Sequence, residues 1–256
     1  MANSINTNYG ANVALQSLNA TSRALATTQN RVSTGQAVSS AKDNGAIFAI
    51  ATNQRAELGS LTSVKQSLQR GQSIVDVALA AGDTVISALT EMKSLAVAIE
   101  AGGSTATTTA LQADYDALQT EIDNALAGAN FDGENLWTAS VDVISDTSGT
   151  TYTVGMAAPA DATPAGATAA EVQTAIEAFT ADLATLGTQS KSLERQTTFT
   201  SKMEDALEAG VGNLVDADLA KESARLTALQ TKQQLGVQAL SIANQAPQVI
   251  LSLFQG

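Results

Sequence analysis

The side chains that could act on a substrate are few, and nearly all are acidic. Asp114, Asp116, Glu121 and Asp123 crowd into the span 114–123, and Asp216, Asp218 and Glu222 into 216–222. Carboxylates placed in pairs are the working groups of glycosidases. Here the first set lies beside apolar residues at helical spacing, which turns the acids outward as a solvated face. The second set opens a helical stretch, where carboxylates complement the positive end of the helix dipole. The chain has no His and no Cys, which removes His-based triads, zinc proteases and most transition-metal sites. Gly71 and Gly82 fall inside a helical pattern, and no Gly-x-Gly-x-x-Gly or Walker loop occurs. Ser/Thr-rich stretches at 103–109 and 138–168 offer hydroxyls for O-linked sugars, or serve only as soluble loops. We expect no enzyme, no cofactor and no metal site.

The composition agrees. Of 256 residues only 4% are aromatic, so a compact core built on rings is not available; Ala and Leu instead suit long helices packed closely. The net charge of −12, from 13 basic and 25 acidic residues, leaves no basic footprint for nucleic acid and disfavours anionic membranes. The first residues, Met1 to Asn8, have neither a basic n-region nor an apolar h-region, so no cleavable secretory signal is expected. No apolar run approaches the roughly 20 residues that would span a bilayer.

Helical periodicity dominates the pattern. Ala11, Leu18, Leu25 and Val32 recur every seven residues, with Ala14 or Leu15 and Ser22 near the second seam position; this predicts a helix over 7–34 ended by Gly35. Leu61, Leu68, Val75, Gly82, Leu89 and Ala96 form one heptad series, and Val64, Gly71, Ala78, Val85, Met92 and Ile99 a second. They predict a helix over 43–99, capped by Asp43 or Ser40 and stopped by Gly102-Gly103. At 1.5 Å per residue it would be ~85 Å long, which implies a rod. A shorter helix over 108–128 shows Leu111, Tyr115, Leu118, Ile122 and Leu126 on one face. Val141, Val143, Tyr152 and Val154 alternate with polar residues around Asp146-Thr147-Ser148-Gly149, which predicts a β-hairpin within 138–156. Pro159 and Pro164 mark 157–169 as a surface loop. A helix over 168–210, with Ile176, Phe179, Leu183, Leu186, Leu193, Thr200 and Leu207 on its face, should break at Gly210 and Gly212. The last, over 214–254, carries Leu219, Leu226, Gln233, Leu240, Pro247 and Phe254, with a kink at Pro247. The fold class expected is mainly α: an elongated helical bundle or coiled coil with a small β-hairpin. Heptads near both termini, with no other partner in view, suggest that the two ends pair.

Several segments carry a resemblance. Gln29-Asn30-Arg31-Val32-Ser33-Thr34-Gly35, Ser39-Ser40-Ala41-Lys42-Asp43-Asn44 with Ala49-Ile50-Ala51, and Asn130-Phe131-Asp132-Gly133-Glu134-Asn135-Leu136 occur in this order near the N-terminus. Asp216-Ala217-Asp218-Leu219-Ala220-Lys221-Glu222, Ala239 through Pro247, and Ile250-Leu251-Ser252-Leu253-Phe254 follow near the C-terminus. Together they resemble bacterial flagellins over about 1–135 and 170–256, closest to the short alphaproteobacterial ones that lack variable outer domains.

The resemblance implies a structural subunit that self-assembles into the flagellar filament used for swimming. Residues 1–40 with 215–256 would form a coiled-coil inner-tube domain, and 41–214 a rod-like helical domain with the hairpin. Leu18, Leu25, Arg31, Val32, Leu219, Leu226, Leu240, Ile250 and Phe254 would carry assembly. Partners would be the chain itself, other flagellins, an export chaperone, and hook-junction and cap proteins, with no nucleic acid and no membrane. Type III export would place the protein outside the cell without a cleaved signal, and the terminal helices would order on assembly. Two departures from the family pattern stand out. Asp43-Asn44-Gly45-Ala46-Ile47 stands where many members read Asp-Asp-Ala-Ala-Gly. Thr90-Glu91-Met92-Lys93-Ser94-Leu95 stands where enteric members carry the Gln-Arg-x-Arg-Glu-Leu stretch read by an animal innate immune receptor, so poor recognition is expected. A hook–filament junction protein, which shares the terminal helices, and a helical signalling rod are the alternatives; the rod is opposed by the lack of a heptad hairpin about a central tip.

Overall fold

The computed structural model describes residues 8–156, 162–164 and 166–254, with side chains as far as Gln245. Among these residues the order is α1 (Tyr9–Thr34), α2 (Gly45–Glu100), α3 (Thr105–Gly128), β1 (Val141–Ile144), β2 (Thr151–Val154), α4 (Ala169–Val215) and α5 (Leu219–Phe254). The strands pair antiparallel, Val141 opposite Val154 and Ile144 opposite Thr151. The fold is therefore mainly helical with one small hairpin. The chain divides into two compact units, 1–55 with 208–256 and 56–207.

In the unit 56–207 the heptad of α2 is the organising element. Leu68, Val75, Val85, Leu89, Met92 and Ala96 of its two series are completely buried. α2 also contains an 18-residue window of mean hydropathy 1.4, so by length and composition it passes as a membrane span. Its apolar side chains instead form this core with Tyr115 and Ile122 of α3 and Phe179, Leu186 and Leu193 of α4. Trp137 stacks on Phe179 with ring centroids 4.5 Å apart, and its indole N–H donates to the Ala78 carbonyl at 3.2 Å. One aromatic pair thus supplies area that the Ala-rich helices lack.

The hairpin is held on both sides. Val141 and Val143 alternate inward along β1. The Ile144 amide donates to Ser67 Oγ of α2, and Gln196 of α4 donates to the Ser145 carbonyl. Gln189 brackets Gly155, accepting its N–H and donating to its carbonyl, each at 2.8 Å. Asp146 accepts from the amides of Ser148 and Thr150 and from the Ser148 hydroxyl. These bonds favour the charged form and hold its carboxyl down at about 2.

Several expectations need correction. Asn44, not Asp43 or Ser40, caps α2 by accepting from the Ile47 amide at 3.2 Å. α4 does not break at Gly210 and Gly212 but runs to Val215. Each helical glycine costs only ~1 kcal/mol against Ala, and burial of Val211 and Val215 outweighs it. The helix predicted from 214 therefore starts at Leu219, with Asp218 accepting from the Lys221 amide. α5 spans Pro247 and ends at Phe254, as expected. In the 157–169 loop, residues 157–161 and 165 lie outside the described residues, while Ala162 and Pro164 are buried rather than on the surface.

Both seam glycines of α2 sit where another element approaches closely. A Cβ on Gly71 would lie 2.6 Å from Val143 Cγ2, and one on Gly82 2.2 Å from Leu183 Cδ2. Val143 is buried, β-branched and fixed in the hairpin, whereas Leu183 is only partly buried and can rotate away. Gly71→Ala should therefore destabilise the protein by about 1–2 kcal/mol net of the helix-propensity gain, and Gly82→Ala by less. Urea unfolding of the two variants checks the order, which is opposite to the order of the bare distances.

Candidate functional site

The first and last helices meet in the other unit. α1 opens at Asn8, whose side chain accepts from the Ala11 amide, and closes at Gly35 in the left-handed region, φ 71°. α1 and α5 pack side by side, and their direction follows from three contacts. Asn8 Nδ2 donates to the Ala243 carbonyl, Leu18 Cδ1 stands against Gly236, and Arg31 reaches Glu222. As the number rises on α1 it falls on α5, so the pair is antiparallel.

At the closed end the backbone locks the two segments together. Gln36 and Asp216 form an antiparallel bridge. The Ala37 amide donates to the Val215 carbonyl at 2.7 Å and the Ala217 amide to the Gly35 carbonyl at 2.8 Å. The next turn is organised by Asp43, which accepts from the amides and hydroxyls of both Ser39 and Ser40 at 3.0–3.2 Å. Those bonds, led by the Ser40 hydroxyl, hold the Asp43 carboxyl below its ordinary value.

The seam itself is built of small and mid-sized side chains. On α1, Leu18, Leu25 and Val32 are half-buried. The second seam position is not Ser22 but Thr21 and Thr28, the two buried residues of this helix, with Leu15 exposed. The buried Thr21 hydroxyl is satisfied by donating to the Ser17 carbonyl. On α5, Glu222, Leu226, Leu229, Gln233, Gly236, Leu240 and Ala243 turn inward to differing degrees.

Of the residues singled out from sequence, Leu18, Leu25, Val32, Leu226 and Leu240 lie on this seam. Leu219 does not: as first residue of α5 it is half-exposed. The side chains of Ile250 and Phe254 lie outside the described residues. Arg31 Nη1 donates to Glu222 Oε1 at 3.2 Å, with side chains 30% and 10% exposed. Sequence reasoning read Glu222 as a helix-start acid and missed this pair. A clue lay in composition: Glu222 is the only carboxylate in the sequences of α1 and α5.

Outside the seam, both helices leave large apolar side chains in solvent. Tyr9, Val13 and Leu15 on α1, and Leu235, Val237 and Ile242 on α5, are between 46% and 77% exposed. The acidic residues Asp114, Asp116, Glu121 and Asp123 of α3 are exposed as well. Among the described residues no group of three or more acidic side chains could hold a metal ion.

Residues 5–142 match the family model of the bacterial flagellin N-terminal helical region, and residues 169–254 that of the C-terminal helical region. The chain belongs to the bacterial flagellin family. It is 49% identical over 270 residues to a flagellin of Caulobacter vibrioides, covering 99% of each chain. A flagellin of Brucella melitensis is 36% identical, again over 99% of each chain. Flagellin C of Rhizobium meliloti is 35% identical over 98% of this chain and 99% of its own. The alphaproteobacterial resemblance noted in the motifs therefore extends along the whole of this flagellin.

The Asp43 turn yields a pH prediction. A carboxylate held below its unfolded value stabilises the fold above that value, and the contribution is lost as pH falls through the folded one. In carbon-13 NMR the Asp43 carboxyl should titrate below the reference 3.8. Replacing both Ser39 and Ser40 with Ala should move the midpoint back up; an unchanged midpoint would show that the serine bonds do not set it.

Proposed function

We propose that this flagellin is a non-enzymatic structural subunit that polymerises into the extracellular flagellar filament used for swimming. The observation that carries the reading is the set of large apolar side chains that the α1–α5 pair leaves exposed on either side of its seam. Large apolar side chains concentrated on exposed helix faces mark a surface that awaits a partner. In a family of filament proteins the natural partner is another copy, or another flagellin in the same filament. The half-polar seam buries too little to hold two isolated helices, so ordering and packing on neighbouring copies would occur together. The terminal helices then form the inner-tube domain and the intervening helices and hairpin the second domain.

Finer expectations belong to the same reading. The chain would leave the cell through type III export, held beforehand by an export chaperone and added to the filament beyond hook-junction proteins and beneath a cap. The relatives are flagellins over 98–99% of this chain, so neither a hook–filament junction protein nor a signalling rod is favoured.

The polymerisation surface can be tested in its seam. Leu226→Asp or Leu240→Asp places a carboxylate between packed helices and should abolish filaments, while circular dichroism still reports a folded 56–207 unit. Negative-stain electron microscopy of seeded protein reads the outcome. Filaments like those of the parent would refute this placement of the seam.

The receptor expectation is sharpened by geometry. On α2, Glu91 and Ser94 are exposed, whereas Met92 is buried and Lys93 Nζ donates to Gln173 Oε1 at 2.5 Å. An arginine-reading surface would meet one reversed charge and one lysine already engaged, and a like-charge juxtaposition costs several kcal/mol. A reporter-cell assay should show stimulation far below that of an enteric flagellin. Equal stimulation would overturn this expectation.

A further inference from the structure

We propose that Arg31 and Glu222 are positioning residues that fix the register in which α1 and α5 zip together. The inference rests on the assembly reading above. The bridge of Gln36 with Asp216 anchors one end of the pair; beyond it, a seam made of repeats offers little to hold its own alignment. On α1, Leu18, Leu25 and Val32 follow one another every seven residues, as do Ala14, Thr21 and Thr28; on α5, Leu226, Gln233 and Leu240 alternate with Leu229, Gly236 and Ala243. In the Leu226, Gln233, Leu240 row a slip of one heptad exchanges side chains of similar size, so packing in that row separates the two registers poorly; in the other row it would bring Leu229 to the place of Gly236 against Leu18.

Charge separates them sharply. Glu222 is the only acid in the sequences of the two helices, against Arg23, Arg31, Lys221, Arg225 and Lys232. Four of these bases are exposed, and only Arg31 enters the seam beside the carboxylate. Sliding α5 by seven residues in one direction sets Glu222 against the half-buried Ala24–Leu25 step, seven residues from Arg31, with only the exposed Arg23 nearby on α1. Sliding it the other way sets it near Val38 and leaves Arg31 against Leu229. Either slip strands a charge in the seam.

A second observation says that the pair serves alignment more than stability. Arg31 Nε and Glu222 Oε2 are both buried and have no hydrogen-bond partner. A buried ion pair left half-satisfied does not recover its desolvation and is a poor stabiliser beside apolar side chains of similar volume. A single buried polar group that sets helix register at a cost in stability is the best-attested use of such a feature.

The chain contains no Cys, which permits a direct test. Filaments carrying Leu18→Cys with Gly236→Cys report the register seen here; Leu18→Cys with Leu229→Cys report a slip of one heptad. With Arg31 and Glu222 intact, only the first pair should cross-link. In the Arg31→Met/Glu222→Leu background the slipped cross-link should rise several-fold, although the seam has become more apolar. The exchanged pair Arg31→Glu/Glu222→Arg should return cross-linking to the first pair alone and restore the filament yield lost in either single variant. Should the apolar background prevent assembly, the exchanged pair decides: in-register filaments support the lock, and none refute it. An apolar background that still cross-links only through 18 and 236 overturns the proposal. Filaments of the Leu18→Cys/Gly236→Cys variant with Arg31 and Glu222 intact that lack the 18–236 cross-link would refute the α1–α5 seam itself, and the lock with it, while leaving polymerisation observed.

Discussion

The antiparallel packing of α1 on α5 is the interaction on which the rest of the molecule depends. It joins residues more than two hundred positions apart, as the bond from Asn8 to Ala243 shows. Closing so long a loop costs entropy that must be recovered along the seam. The seam offers little to recover it with: threonines, glycine, alanines and leucines that stay half in water. Backbone pairing of Gln36 with Asp216 anchors one end, and beyond that anchor the pair relies on side chains with modest area. A helix pair that cannot hide its apolar surface from water by itself is marginal as a monomer and suited to completion by copies of itself.

The unit 56–207 solves the opposite problem. Its apolar series are long and regular, and three helices and a hairpin converge on them until Leu68, Val75, Val85 and Phe179 lose all contact with solvent. Close approach is achieved by removing side chains, at Gly71 under Val143 and at Gly82 under Leu183, more than by adding rings. The few ion pairs here, Lys65 with Glu204 and Arg70 with Asp132 and Glu134, lie nearer the surface and contribute little each. This unit is therefore complete within one chain, whereas the terminal pair is not. A polymer subunit needs both kinds of part: one that survives alone and one that gains by association.

What was legible in the sequence follows the same division. The α2 heptads, the α3 and α4 faces and the hairpin strands could be read because strongly buried seams select Leu, Val, Ile and Met at fixed spacing. The terminal seam was read only in part. Thr21 and Thr28 are buried but polar, Leu15 and Leu219 are apolar but exposed, and periodicity weighs residue type rather than area. The end of α4 was misplaced because Gly210 and Gly212 signal a break locally while burial of Val211 and Val215 decides it tertiarily. The Arg31–Glu222 pair spans 191 positions. No local pattern reveals such a contact, although the scarcity of acids on α1 and α5 pointed toward Glu222.

That scarcity also bears on how a chain of net charge −12 can polymerise. In a repeating assembly each surface charge recurs on every neighbour, and a subunit this acidic repels its copies. The exposed acids of α3 are screened over about 10 Å at 0.1 M salt, so they tolerate neighbours at a distance. Carboxylates on helices that must touch would have no such relief, since desolvation removes the screening water and ions. The sequence keeps them away: α1 has no acidic residue, and α5 has one, neutralised by Arg31 within the same chain. The surfaces with apolar flanks in search of a partner are thus the surfaces from which the protein's acidity has been withdrawn. Solubility is carried by one part of the chain and association by another, and neither has to be given up for the other.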